Sequence, residues 1–334
     1  MKSKLDILEL FNNPELQPAY LNFDLDERIL NSKAIRNRDV ATQKSFENTS
    51  LNEIAQQEGS PSYEIIKSIP ELLYDANVIP TLSGIGIELG SGIGLLSAAI
   101  IELDTRKKIN GILAIEAVYS FVESGIRLAS TTTLGNNAHK IIPCYGAFES
   151  IPVESGAIDF IIQIEALHHA DELLPPLVEA YRVLKNGGIF ISIDRSWPNR
   201  VERKVLDELL DHQYPKEWLE AKGFPSDEPF SRRDNGEHEY LDSNWILAFE
   251  QAGFKIKEIR HLHPKFHSKH FLKRFIELFK LNKILRVKIP SRSGIFRRLV
   301  FNLFGLKLLN LGSVLNSQHP RPLSVFVLQK NELG

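Results

Sequence analysis

From about residue 63 to residue 262, short apolar runs alternate with stretches whose apolar positions recur every three or four residues. The spacing of Ile65, Ile66, Ile69, Leu72 and Leu73 predicts a helix over 63–74, bent or split at Pro70. Apolar runs at 84–89, 111–116, 139–144, 157–164 and 188–194 predict strands, and the segments 93–103, 118–134 and 176–185 between them predict helices. Such alternation predicts a parallel sheet covered on both faces. Lys185-Asn186-Gly187-Gly188 predicts a helix stop, with a basic last turn followed by residues that tolerate the left-handed conformation.

Beyond Asp194 the periodicity weakens. Residues 196–240 mix Trp197, Tyr214, Trp218 and Phe230 with prolines and charges, which predicts an insertion over the sheet's edge. A helix over 241–251 stopped by Gly253, a strand over 254–261 and a last strand over 323–328 follow. Residues 1–62 are polar and weakly periodic and predict a helical or partly irregular cap.

Composition narrows the class of protein. The single cysteine excludes an internal disulfide, and no Cys/His cluster has zinc spacing, so no metal is expected. The opening MKSKLDILELFNN does not read as a signal peptide, and no run of 18 apolar residues predicts a membrane span. The expected location is cytoplasmic. The formal net charge of −2 hides an asymmetry, because twelve Lys and Arg residues between His263 and Arg321 face one acid, Glu277. Such polarity predicts an anionic partner for that segment.

The most informative stretch is Ile85-Gly86-Ile87-Glu88-Leu89-Gly90-Ser91-Gly92-Ile93-Gly94. Glycines on alternate positions after a strand leave no Cβ over the turn. The pattern is neither G-x-G-x-x-G nor a phosphate loop with Lys-Ser/Thr. Glu88 would repel a pyrophosphate and attract an ammonium, so the loop suits a small zwitterionic or cationic ligand.

With that order of elements, the chain resembles the class I S-adenosylmethionine (SAM) dependent methyltransferases, over roughly 63–262 plus the last strand. Gly90, Ser91, Gly92 and Gly94 are similar to that family's first motif. Glu116, after Ile112-Leu113-Ala114-Ile115, matches the acid that holds the cofactor's ribose. Gly146-Ala147-Phe148-Glu149-Ser150-Ile151-Pro152 resembles the family's Gly-Asp-Ala-Glu-x-Leu-Pro, with Ala147 where an aspartate usually reaches the adenine and Phe148 offering a ring instead. Arg182-Val183-Leu184-Lys185-Asn186-Gly187-Gly188 and Phe249-Glu250-Gln251-Ala252-Gly253-Phe254 match later motifs.

The resemblance implies a Rossmann-like seven-stranded mixed sheet and SAM as cofactor. The implied organisation is a cap over 1–62, a core over 63–262 whose 196–240 insertion faces the acceptor, a basic helical lid over 263–321, and a final strand and tail over 322–334. Cofactor-binding candidates are Glu88, Gly90, Ser91, Gly92, Gly94, Glu116, Ala147, Phe148 and Gln163. Glu88 either steers the cofactor's ammonium or bonds the loop backbone.

Histidine's pKa suits a base for an alcohol acceptor, and His168, His169 and His238 are placed for it. His168 equally caps the strand, so His169 and His238 are the catalytic candidates. Pro143-Cys144 ends the third core strand and reads as a buried structural cysteine. The implied reaction is O-methylation of a small-molecule, lipid or surface-glycan intermediate. Alternatives are a non-catalytic SAM-binding protein and an RNA methyltransferase that grips through the basic segment. The cationic, Phe- and Leu-rich stretches within 264–311 suit an anionic membrane surface, making the protein peripheral at its inner face, or equally an ordinary lid.

Overall fold

The computed structural model describes residues 7–48, 82–262 and 323–331. The helix expected over 63–74, the whole of the proposed basic lid over 263–321 and the junctions bounding the core at 62/63 and 321/322 lie outside the described residues.

Among the described residues, eight strands form one sheet: β1 (Leu21–Asn22), β2 (Gly84–Leu89), β3 (Ile109–Glu116), β4 (Ile141–Tyr145), β5 (Ile158–Ile164), β6 (Leu184–Arg195), β7 (Phe254–Leu262) and β8 (Leu323–Lys330). Their order is β1-β4-β3-β2-β5-β6-β8-β7, parallel except for β8, which runs antiparallel between β6 and β7. This is the mixed Rossmann-like sheet expected from the sequence, with eight strands rather than seven. The extra strand is β1, whose Leu21 and Asn22 lie beside Cys144 and Tyr145. Two residues carry too little periodicity to be seen in a polar segment.

Side chains alternate across the sheet, as the two-residue repeat of a strand requires. On β3, Leu113 and Ile115 join one core with Ile87, Ile161 and Phe190, while Ile112 and Ala114 join the other with Phe160, Ile162 and Ile193. Helices α4 (Leu95–Leu103), α5 (Ile126–Leu134), α6 (Leu174–Val183) and α9 (Asp242–Gln251) belong to the layers over these faces. Of the helix expected over 118–134, residues Phe121–Gly125 form a wider π-type turn that leads into α5.

The stop expected at 185–188 is displaced. Helix α6 ends at Val183, and Leu184 is already extended (φ −67°, ψ 141°). The pairing jumps from Ile158–Leu184 to Phe160–Ile189, so Lys185–Gly188 bulge from the entry of β6. Gly187 takes φ +76° within that bulge. Lys330 does the capping instead, donating to the carbonyls of Tyr181 and Leu184 at 2.8 Å each.

The N-terminal segment holds α1 (Ile7–Asn12), α2 (Glu27–Leu30) and α3 (Lys33–Asn48). A Cβ on Gly111 would overlap the Phe11 ring at 2.1 Å, so the missing side chain lets α1 dock on β3. The 196–240 insertion contributes α7 (Arg203–Leu210) and α8 (Lys216–Ala221). It carries its own small core of Trp197, Val201, Leu206 and Leu209.

Candidate active site

Parallel strands β2 to β6 all end on one edge, where open α/β sheets bind their ligands. Gly90, Gly92 and Gly94 follow β2 with φ of +67°, +52° and +76°. A Cβ on Gly90 would stand 2.4 Å from that of Ala166, so the glycine lets this loop meet the one after β5. The Phe148 ring flanks the same point at 3.4 Å. Over Gly92 a Cβ would meet nothing within 4 Å, which leaves its backbone open to a ligand.

Glu88 lies beneath the loop. It is buried and accepts from the Ser97 backbone N–H at 3.0 Å and from the Ser97 hydroxyl. Burial pushes its carboxyl up to about 8, against the Ser97 bonds, and the charge of Glu116 adds to the rise. Glu116, at the tip of β3, accepts from Gly92 N–H at 2.8 Å on one oxygen. Its other oxygen accepts from Ala117 N–H at 2.8 Å and Val118 N–H at 2.9 Å. Burial raises its pKa, opposed by these donors and by the Arg38 guanidinium.

Ala147 bridges back to Ser150, which sets Phe148 at the mouth of the loop. Arg182 holds this turn, donating to the Ile151 carbonyl at 2.6 Å and the Val153 carbonyl at 2.8 Å. Arg182, from the Arg-Val-Leu-Lys stretch, thus braces the segment that follows Phe148. Gln163 does not line open space. It is fully buried, donates to Ser192 Oγ at 2.6 Å and accepts from Ala166 N–H at 2.9 Å, so it braces the loop after β5.

That loop carries the histidines. His168 is buried with Nδ1 2.7 Å from Asp194 Oδ1, the strand-end anchoring that the sequence left open. Burial lifts the Asp194 carboxyl to about 6, against the pull of Arg195. His169 Nδ1 lies 3.1 Å from the Gly236 carbonyl. A carbonyl only accepts, so Nδ1 bears the proton and Nε2 presents a lone pair. Burial holds the His169 pKa well below its ordinary value, and His168, Arg38 and Arg195 push the same way. His238 sits further out, its Nε2 3.9 Å from Asp171 Oδ1 and its ring stacked on Tyr240 at 6.0 Å. Its backbone N–H donates to the His168 carbonyl at 2.9 Å, which ties the insertion to the loop.

Two features escaped the sequence reading. Helix α3 roofs the edge: Asp39 accepts from Ser120 N–H at 2.8 Å, and Ala34 approaches Gly236. Arg38 on this helix acts on both Glu116 and His169, so the carboxyl at the tip of β3 and the lone-pair imidazole share one cation.

The second feature is a buried network. Arg195 Nη1 donates at 2.9 Å to both Glu237 Oε2 and Glu239 Oε1, and Arg232 Nε donates to Glu237 Oε2 at 2.9 Å. Arg232 Nη2 also pairs with Glu239. The remaining carboxylate oxygens accept from Tyr214 at 2.9 Å, Asn235 at 3.0 Å and Trp197 at 2.6 Å. The signal was present in Glu237-His238-Glu239, whose two acids share one face of an extended segment. Among the described residues no group of three His, Cys, Asp or Glu could hold a metal ion.

Residues 87–192 match the methyltransferase domain family. That stretch, from β2 into β6, is the chain's methyltransferase domain. No curated protein matches it in sequence. Among solved structures it is similar to a proposed methyltransferase of Bacillus halodurans, at 17% identity and TM-score 0.47 over 78% of this chain and 98% of that one. YcgJ of Bacillus subtilis aligns at 15% and 0.46, over 80% and 100%. A geranyl diphosphate methyltransferase in complex with GPP and sinefungin aligns at 14% and 0.47, over 79% and 78%.

The domain's glycine loop fits the amino-acid end of SAM. Ser91 Oγ is buried in it without a hydrogen-bond partner among the described residues, and no side chain covers Gly92, whose N–H is held by Glu116. A donor and an open loop backbone at a helix start suit a carboxylate.

Proposed function

We propose that the protein transfers a methyl group from SAM to a hydroxyl oxygen of a small-molecule, lipid or surface-glycan acceptor. When bound, SAM supplies a methyl group activated by its sulfonium. Gly90, Ser91, Gly92 and Gly94 would hold its methionine end with Glu88 behind them, Glu116 its ribose, and Phe148 its adenine. Glu116 must then exchange the Gly92 N–H for ribose hydroxyls, an exchange between bonds of similar kind.

The observation that carries the reading is His169. Its Nε2 lone pair is available at neutral pH, and its neighbours Arg38 and Arg195 are cations. Such a base can take the acceptor's proton while the Arg38 guanidinium stabilises the negative charge that develops on the oxygen. Helix α3 and the insertion would exclude water from the step. His238, more exposed and farther along the insertion, is the acceptor-side alternative.

The basic segment's membrane contact is part of this proposal on sequence grounds only; among the described residues no helix is long and apolar enough to cross a membrane. The test is calorimetric titration with SAM and its demethylated product, then methyl-transfer assays on hydroxylated sugars and lipids with the unaltered protein and His169→Asn. The reading requires binding of both ligands and a transfer that the substitution abolishes. A protein that binds neither ligand, or an acceptor turned over equally well by both proteins, refutes it.

A further inference from the structure

Arg195 presents an unused edge. Its side chain is fully buried, and only Nη1 is engaged, by Glu237 and Glu239. Among the described residues Nε and Nη2 are buried without a hydrogen-bond partner, and so is Asn235 Oδ1. These groups belong to one cluster, since Arg195 and Asn235 bond opposite oxygens of the Glu237 carboxylate. All four oxygens of Glu237 and Glu239 already accept from other donors of the network. Buried N–H groups without partners are rare and costly. Arg195 also acts on His169, the lone-pair imidazole of the site.

The Nε–Nη2 edge would fit a carboxylate by shape alone. The surrounding charge argues against one. Arg195 faces Glu239, Glu237, Glu165 and Asp194, and the further guanidinium in its network, Arg232, is shared with two of these acids. An added anion would enter ground that is already negative, whereas a hydroxyl or ether oxygen can accept from the edge without that penalty. Asn235 Oδ1 can accept a hydroxyl proton in return.

We infer that Arg195 and Asn235 form a specificity subsite that binds an uncharged, hydroxyl-bearing part of the methyl acceptor beside His169. This deepens the proposed function and rests on it. A sugar ring and the glycerol of a lipid share this chemistry.

The experiment reads the Arg195 Nε–H in a proton–nitrogen NMR spectrum of the full chain, assigned by its loss in Arg195→Lys. Lysine keeps the positive charge facing Glu237 and Glu239 but has no second edge. Three probes are titrated: methyl α-D-glucopyranoside, the matching methyl glucuronide, and monobutyrin as a glycerol headgroup. The inference expects the resonance to move with a neutral probe and not with the glucuronide, the responding probe telling sugar from glycerol. It also expects Asn235→Ser to weaken that probe about 3- to 10-fold, which serves where Arg195→Lys does not fold.

A shift with the glucuronide as strong as with its neutral partner overturns the inference, as does no shift with any probe. Failure of the underlying function is read separately, as an unaltered protein that does not bind SAM.

Discussion

Gly92 N–H donates to Glu116 Oε2 at 2.8 Å, joining the glycine loop after β2 to the acid at the tip of β3. Glu116 therefore shapes the loop, and in the proposed function it would give up this bond to meet the ribose. Glu116→Gln keeps one oxygen for the Ala117 and Val118 N–H groups, so the fold should survive with a small loss of melting temperature. The bonds to a ribose would then become neutral ones, which are about half as strong. SAM affinity should fall about 10- to 100-fold, read by calorimetry. Unchanged affinity would remove Glu116 from the cofactor site.

Glu88 carries the clearest pH signature. Its carboxyl is pushed from 4.5 up to about 8, so between these values the folded state holds a proton that the unfolded state has released. Stability from this group therefore falls as pH rises through that window, by an amount on the order of a few kcal/mol. Glu88→Gln should flatten that fall, measured as denaturant midpoints between pH 5 and 9.

If Glu88 meets the ammonium of SAM, binding must ionise it. Affinity should then rise with pH up to about 8, and calorimetry in buffers of different ionisation enthalpy should report a released proton. Binding without proton release would leave Glu88 as the Ser97 anchor alone.

His169 should act as a base already deprotonated at neutrality. Its lowered pKa means that the base form persists well below pH 6.5, so kcat should show no inflection near that value and should decline only at lower pH. His169→Asn should lower kcat about 100- to 10,000-fold while leaving SAM affinity within about twofold. His238→Asn should cost far less, because that ring stands farther out, beside Asp171.

The parallel core was legible because its buried strands are short Ile-rich runs and the first of them ends in a glycine loop. Gly90–Gly94 and Glu116 were legible for the same reason, since chemistry at a strand tip sits at a fixed offset from the strand. Gln163 was legible in place but not in role, because orientation is set by Ser192 and the Ala166 N–H rather than by sequence spacing. Asn186-Gly187 signalled a turn correctly, yet a turn dipeptide does not say whether it ends a helix or bulges a strand. The Arg38 roof and the Arg195 network depend on residues more than 40 positions apart meeting in space, which no local periodicity encodes.

The network itself yields the last prediction. Glu239 is fully buried and serves Arg195, Arg232 and the Trp197 N–H together. Removing one partner of a buried ion pair strands the other charges, at a cost of about 3–5 kcal/mol, so Glu239→Ala should lower stability by that order. Glu239→Gln retains acceptor oxygen and should cost less.

Arg28 provides the internal contrast. Its guanidinium bridges Glu149 and Asp171 at the surface, where the exposed Asp171 side chain limits the gain. Arg28→Ala should change stability by less than about 1 kcal/mol, and that change should shrink with added salt. The Glu239 effect should persist at high salt, because counterions do not reach a fully buried carboxylate. Urea denaturation of the three variants at low and high salt separates the two cases. A salt-sensitive Glu239 loss would mean that counterions reach the carboxylate.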